Sequence, residues 1–129
     1  MATVDLNKGK VLYDDGMDSI VIVKALGDIP GGRTLDISAL DTEDNVIKAG
    51  HVIIKKDLNK PVYMPLGVQD GAYKAITEGY SYVGVLKASV LKSDPRAAIV
   101  TIGQVNAAAS PYPITDEIKN ALPNIQFLN

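Results

Sequence analysis

"YSYVGVLKASVLKSDPRAAIVTIGQV", Tyr80 to Val105, decides the fold. Its apolar positions are mostly Val, Ile and Leu. β-Branched side chains lose rotamer freedom in a helix and suit a pleated, half-buried surface. "SDPR", Ser93 to Arg96, interrupts the run with turn-forming residues and a proline. The stretch therefore divides into a strand over "YSYVGVLKASVL", a loop, and a second strand over "AAIVTIGQV".

The same grammar extends upstream. "VIKAGHVIIKK", Val46 to Lys56, reads as two apolar pieces joined at Ala49-Gly50, where glycine permits a turn before a core strand. "TLDISAL" alternates, with Leu35, Ile37 and Ala39 on one face and Thr34, Asp36 and Ser38 on the other, and is expected to be a strand. In "NKPVYMPLGV", Pro61 and Pro65 cannot donate to a ladder and belong to a loop or a sheet edge. Asp70-Gly71, with apolar residues on both sides, is a candidate two-residue hairpin turn. At the front, "GKVLYDDG" precedes the turn dipeptide Asp15-Gly16, and "SIVIVKAL", Ser19 to Leu26, follows as a short buried run, so the two form a hairpin or edge-paired strands. "DIPGGR", Asp28 to Arg33, is expected to turn the chain, because Pro30 presets φ and Gly31 and Gly32 are free to take positive φ.

Only the end has a helical pattern. In "PITDEIKNALPNI", Thr115 caps, Asp116 and Glu117 favour the positive end of the helix dipole, Ile118, Ala121 and Leu122 form one stripe, and Pro123 stops the run. Six or seven short strands and one short C-terminal helix predict a mainly β protein, a small β-sandwich or β-barrel.

The 129 residues are the size of one domain, 1–129, with a core of aliphatic residues because there is no tryptophan and Phe127 is the only phenylalanine. With 13 basic and 15 acidic residues the net charge is -2 and the lysines are scattered, so the electrostatic footprint of a nucleic-acid binder is missing. No cysteine is present, which removes thiol catalysis, disulfides and thiolate metal sites, and one histidine is too few for the usual zinc and iron ligand sets. The apolar runs are far shorter than the roughly 20 residues of a membrane helix, and "MATVDLNKGK" has no apolar signal region. The expectation is a soluble protein made in a reducing cytoplasm, with no nucleic-acid or membrane partner.

His51 is the only imidazole and the first candidate for chemistry. A general base needs an acidic or hydroxyl partner in a concave site, and the sequence specifies none. The plainer account is a partly exposed residue at the start of a strand. Carboxylates in "YDDG" and "DTEDN" could pair for acid–base work, but they are also what solvated turns look like. "GDIPGG" and "GYSYVG" lack the lysine and hydroxyl of a phosphate loop, and "DTEDN" lacks the central glycine and distant glutamate of a calcium loop. Tyrosines 13, 63, 73, 80, 82 and 112 could form a stacking platform, but shielding sheet faces and subunit contacts explains them better, since Tyr80 and Tyr82 point the same way along one strand. No catalytic, cofactor-binding or metal-binding residue is assigned, and no cofactor is expected.

The order of these pieces from Gly32 onward resembles bacteriophage head decoration proteins of the lambda type and related head-fibre base domains. The resemblance runs through Ala49, Gly50, Val52 and Ile53, then Gly84, Val85, Leu86 and Val90, then Ala98, Ile99, Val100, Gly103 and Val105, and finally Ala121, Leu122, Ile125 and Phe127. It covers about three-quarters of the chain and consists of glycines and apolar positions without a catalytic signature. It implies a β-rich domain over 31–129 that forms a homotrimer, binds the major capsid protein on the outer surface of a phage head, and cements the shell of the virion. Residues 1–30 depart from the pattern and read as an N-terminal arm or an added strand pair. The reading is of a structural protein and not an enzyme. The alternative is a small β-barrel enzyme or ligand-binding protein with a pocket lined by His51, Tyr63, Tyr73 and an Asp.

Overall fold

The computed structural model describes residues 18–38, 40, 45–57, 59 and 62–128. The protein is mainly β, with a curled half-barrel sheet and one short helix near the C-terminus, as the strand-and-turn pattern predicts. After a single helical turn, α1 (Asp18–Val21), come β1 (Ile22–Thr34), β2 (Val46–Ile47), β3 (Val52–Lys56), β4 (Val62–Pro65), β5 (Val68–Gln69), β6 (Ala72–Tyr73), β7 (Tyr80–Leu86), β8 (Val90–Leu91) and β9 (Arg96–Asn106). A 3-10 turn at Ala107–Ala109, helix α2 (Asp116–Ala121) and strand β10 (Ile125–Leu128) close the chain. The main sheet runs in the order β1-β9-β7-β3-β4, and β10 lies parallel to the C-terminal half of β9. Two ribbons, β2 with β8 and β5 with β6, stand apart from it.

Strand alternation sends side chains to opposite faces, and both faces of this sheet are covered. Val52 and Ile54 of β3, Val85 of β7 and Val100 of β9 join Val21, Ile118, Leu122 and Ile125 in one buried cluster. Ile53, Leu86 and Ile99, their neighbours in sequence, join Leu35, Ile47 and Ala97 in a second. Gly84 allows β7 and β9 to approach, because a Cβ there would stand 1.9 Å from the Val100 carbonyl oxygen.

Several local expectations hold. Gln69 pairs with Ala72 across Asp70 and Gly71, whose φ angles of 54° and 75° are those of a hairpin turn with positive φ at both positions. Pro65 ends the outermost strand β4. The Thr115 hydroxyl accepts from the Ile118 N–H and caps α2, where Ile118 and then Leu122 are buried. Ala121, expected in the same stripe, is exposed.

Others are corrected. "DIPGGR" does not reverse the chain. Asp28 to Arg33 continues β1 antiparallel to β9, and Ile29 pairs with Ile99 while Arg33 pairs with Ala97, so three residues of β1 between these pairs oppose one of β9. The proline and glycines are absorbed as a bulge, which the outermost strand tolerates because Pro30 has no N–H to leave unpaired. "TLDISAL" keeps its alternation of burial at Leu35 to Ser38 without being a strand beyond Thr34. Leu35 N–H donates to Pro95, Asp36 N–H donates to the Tyr63 carbonyl, and the Asp36 carboxylate accepts from the Ser38 N–H and hydroxyl, which hold its pKa below the ordinary range. An Asx turn has won over the ladder. "YSYVGVLKASVL" is split by a bend at Lys87 and Ala88, after which Val90–Leu91 pairs with Val46–Ile47. Among the described residues ten strands stand where six or seven were expected, among them β10, hidden by its position after Pro123, and the two longest span 13 and 11 residues. "SIVIVKAL" is not a buried run, for Ile20, Val23 and Leu26 face outward. The Asp15-Gly16 turn, "YDDG", Tyr13, Pro61 and the first four residues of "DTEDN" lie outside the described residues.

Candidate functional site

The corner at the start of β3 gathers the protein's only histidine and two of its tyrosines. Gly50 makes the corner possible. Its φ is +89°, a conformation L side chains resist, and a Cβ there would meet Val21 Cγ1 at 2.4 Å. The turn is pinned by four bonds: Gly50 N–H donates to Leu86 (2.8 Å), Leu86 N–H donates to the His51 carbonyl (2.9 Å), His51 N–H donates to Lys48 (3.2 Å), and Ala49 N–H donates to the buried Ser89 hydroxyl (3.0 Å).

This geometry drives the His51 ring inward, contrary to the expectation of a partly exposed residue. Only 3% of its surface is exposed. Nε2 lies 2.8 Å from the Leu66 carbonyl oxygen, and because a carbonyl only accepts, Nε2 carries the proton. The ring meets Tyr73 at 5.2 Å and Tyr112 at 5.6 Å, both edge-on, and the two tyrosines meet each other at 5.3 Å. Tyr73 is delivered by the Asp70-Gly71 hairpin, and its hydroxyl accepts from the Val52 N–H at 3.1 Å. Tyr112 comes from the segment between the 3-10 turn and α2, where the chain bends at Pro111 and Tyr112.

Burial sets the protonation of this corner. It pushes His51 down from 6.5 to about 4, against the opposing pull of the Leu66 carbonyl, and it pushes the Tyr73 phenol well up, opposed by the Val52 N–H and reinforced by Tyr112. At neutral pH both groups are uncharged. Such a histidine is mismatched to general-base work near pH 7, but it can accept one hydrogen bond at Nδ1. A cleft of about 280 Å³ opens beside it, lined by Leu40, Val46, Ile47, Lys48, His51, Pro111 and Tyr112.

Of the pocket expected from His51, Tyr63, Tyr73 and an Asp, the fold brings together His51 and Tyr73 only. Tyr63 packs against the second core cluster, on the other face of the sheet. Among the described residues no aspartate lines the cleft. Asp28 pairs with Lys87, Asp94 with Arg96, and Asp57 accepts from the Ser81 hydroxyl. Tyr80 and Tyr82 do share a face and pack on the first cluster; the Tyr82 hydroxyl donates to Glu117 at 2.8 Å, and desolvation with that carboxylate raises it to about 12. Tyr112 was named in the sequence only as one of six tyrosines, and Lys48 only as one of the scattered lysines. The Pro-Tyr-Pro flanks of Tyr112 restrict its backbone, but nothing local tells where the segment docks.

Among the described residues no group of three or more His, Cys, Asp or Glu side chains is placed to hold a metal ion, and no helix is long and apolar enough to cross a membrane. Comparison of the chain with family profiles, with curated proteins and with solved structures finds no match.

Proposed function

We propose that the protein is a structural virion component of the head-decoration type, which binds the major capsid protein on the outside of a phage head as a homotrimer and stabilises the shell. The order of glycines and apolar strands from Gly32 onward supports this reading. The observation that carries it is a set of exposed aliphatic residues at the β1 edge of the sheet, on α1, β1 and the adjoining part of β9. Ile20, Val23 and Leu26 are 47%, 49% and 64% exposed, and Ile102, 44% exposed, lies over Gly27 beside them. Scattered exposed aliphatics are ordinary, but a cluster of them along a sheet edge suits burial against another chain. A closed ring of three copies would also combine three weak shell contacts into one strong attachment.

Sedimentation with the cognate expanded heads, stripped of decoration protein, tests the proposal. The protein should pellet with the heads and have the mass of three chains in free solution. A monomer that stays in the supernatant overturns it. A ligand-binding reading from a different class is favoured by one observation, the meeting of His51 and Tyr112 at the wall of a cleft.

A further inference from the structure

We propose that the cleft beside His51 binds a single-ring phenol bearing an anionic substituent, with the phenol hydroxyl donating to His51 Nδ1 and the anion facing Lys48. This site deepens the ligand-binding reading and is independent of shell attachment. Three features of the cleft select that chemistry.

The first is the free acceptor. With Nε2 committed to the Leu66 carbonyl, Nδ1 is the bare nitrogen, and no described residue donates to it. No buried side-chain nitrogen or oxygen among the described residues lacks a partner. Nδ1 is therefore the polar atom that a nine-tenths-buried ring offers to the cleft it lines. An acceptor in such a place gains from a ligand that brings a donor and discriminates against one that does not, because the latter displaces water and leaves the nitrogen unmade.

The second is size and lining. A cleft of about 280 Å³ is at the small end of ligand pockets, enough for one ring. Leu40, Val46, Pro111 and the Tyr112 ring supply apolar and aromatic walls, against which a planar ring packs or stacks. The third is charge. Lys48, exposed and the only charged residue among the described lining, is placed to pair with an anionic substituent.

Because the chain has one histidine, its two imidazole nitrogens give unambiguous signals in a long-range proton–nitrogen NMR spectrum. At neutral pH the unliganded protein should show Nε2 protonated and Nδ1 bare. Titration with 4-hydroxyphenylacetate should move the Nδ1 signal in the direction of an accepted hydrogen bond. Phenylacetate, which lacks the donor, should bind about tenfold more weakly, the worth of one hydrogen bond. Lys48→Met should weaken 4-hydroxyphenylacetate by roughly threefold, as expected for an exposed charge, and leave 4-methylphenol unchanged. A protonated Nδ1 in the free protein, an Nδ1 signal that stays in place at millimolar ligand, or equal binding of the two acids overturns the proposal.

Discussion

Strand β3 and the run from α1 into β1 are written in nearly the same letters and finish in opposite environments. "HVIIKK" and "SIVIVKAL" both carry a row of β-branched residues followed by lysine. In β3, Val52 and Ile53 are fully buried and Ile54 nearly so; in the other run, Val21 is buried but Ile20, Val23 and Leu26 stand open. Position in the sheet makes the difference. β3 lies between β4 and β7 and has a core on each face, whereas β1 is the outermost strand, with irregular pairing to β9 at four places. Equal hydrophobicity thus serves cohesion in one place and leaves a surface in the other.

Truncating one side chain in each region tests this contrast most directly. Ile53→Ala removes a fully buried side chain and should cost about 4 kcal/mol in denaturant unfolding, while Leu26→Ala should change stability by less than about 0.5 kcal/mol. Similar costs for the two would mean that β1 is covered in solution by something that moves with the folded chain. The next effect belongs to the buried corner alone. His51 binds its proton less tightly folded, at about 4, than unfolded, at 6.5, so the unfolded state gains protons first as pH falls. Stability should be full above pH 6.5 and decline by about 3 kcal/mol between there and pH 4. His51→Leu should flatten that part of the pH profile whatever its absolute stability; an unchanged slope would assign the titration to other groups. A smaller effect than that of the histidine lies where the two regions touch. Gly50→Ala places a methyl on the Val21 side chain in a left-handed conformation and should cost about 2 kcal/mol. A neutral result would show that the turn relaxes away from Val21.

Much of the fold was legible locally. Asp70-Gly71 announced its hairpin because positive φ at two successive positions needs such residues. Thr115 announced its helix because a hydroxyl can satisfy an orphan N–H of the first turn. "DIPGGR" misled because a proline and two glycines permit a turn without requiring one, and pairing with β9 holds the segment extended. The site was less legible than the fold. Gly50 could be picked out as the residue that makes the corner, yet the burial of His51 followed from Leu66, Tyr73 and Tyr112, which lie 15, 22 and 61 positions along the chain (66 − 51, 73 − 51 and 112 − 51). Their docking depends on how the β5–β6 ribbon and the Pro-Tyr-Pro segment fold back over the sheet.

The sequence by itself determined that this chain is a β protein with an aliphatic core, a short capped helix and a corner at Gly50, because these follow from side-chain branching, φ preferences and hydrogen bonds between near neighbours. Tertiary structure alone decided which apolar strand is buried, which face each tyrosine takes and that the single histidine is neutral and enclosed. Burial and protonation depend on what comes to lie against a residue, and that is set by contacts between segments far apart in the chain.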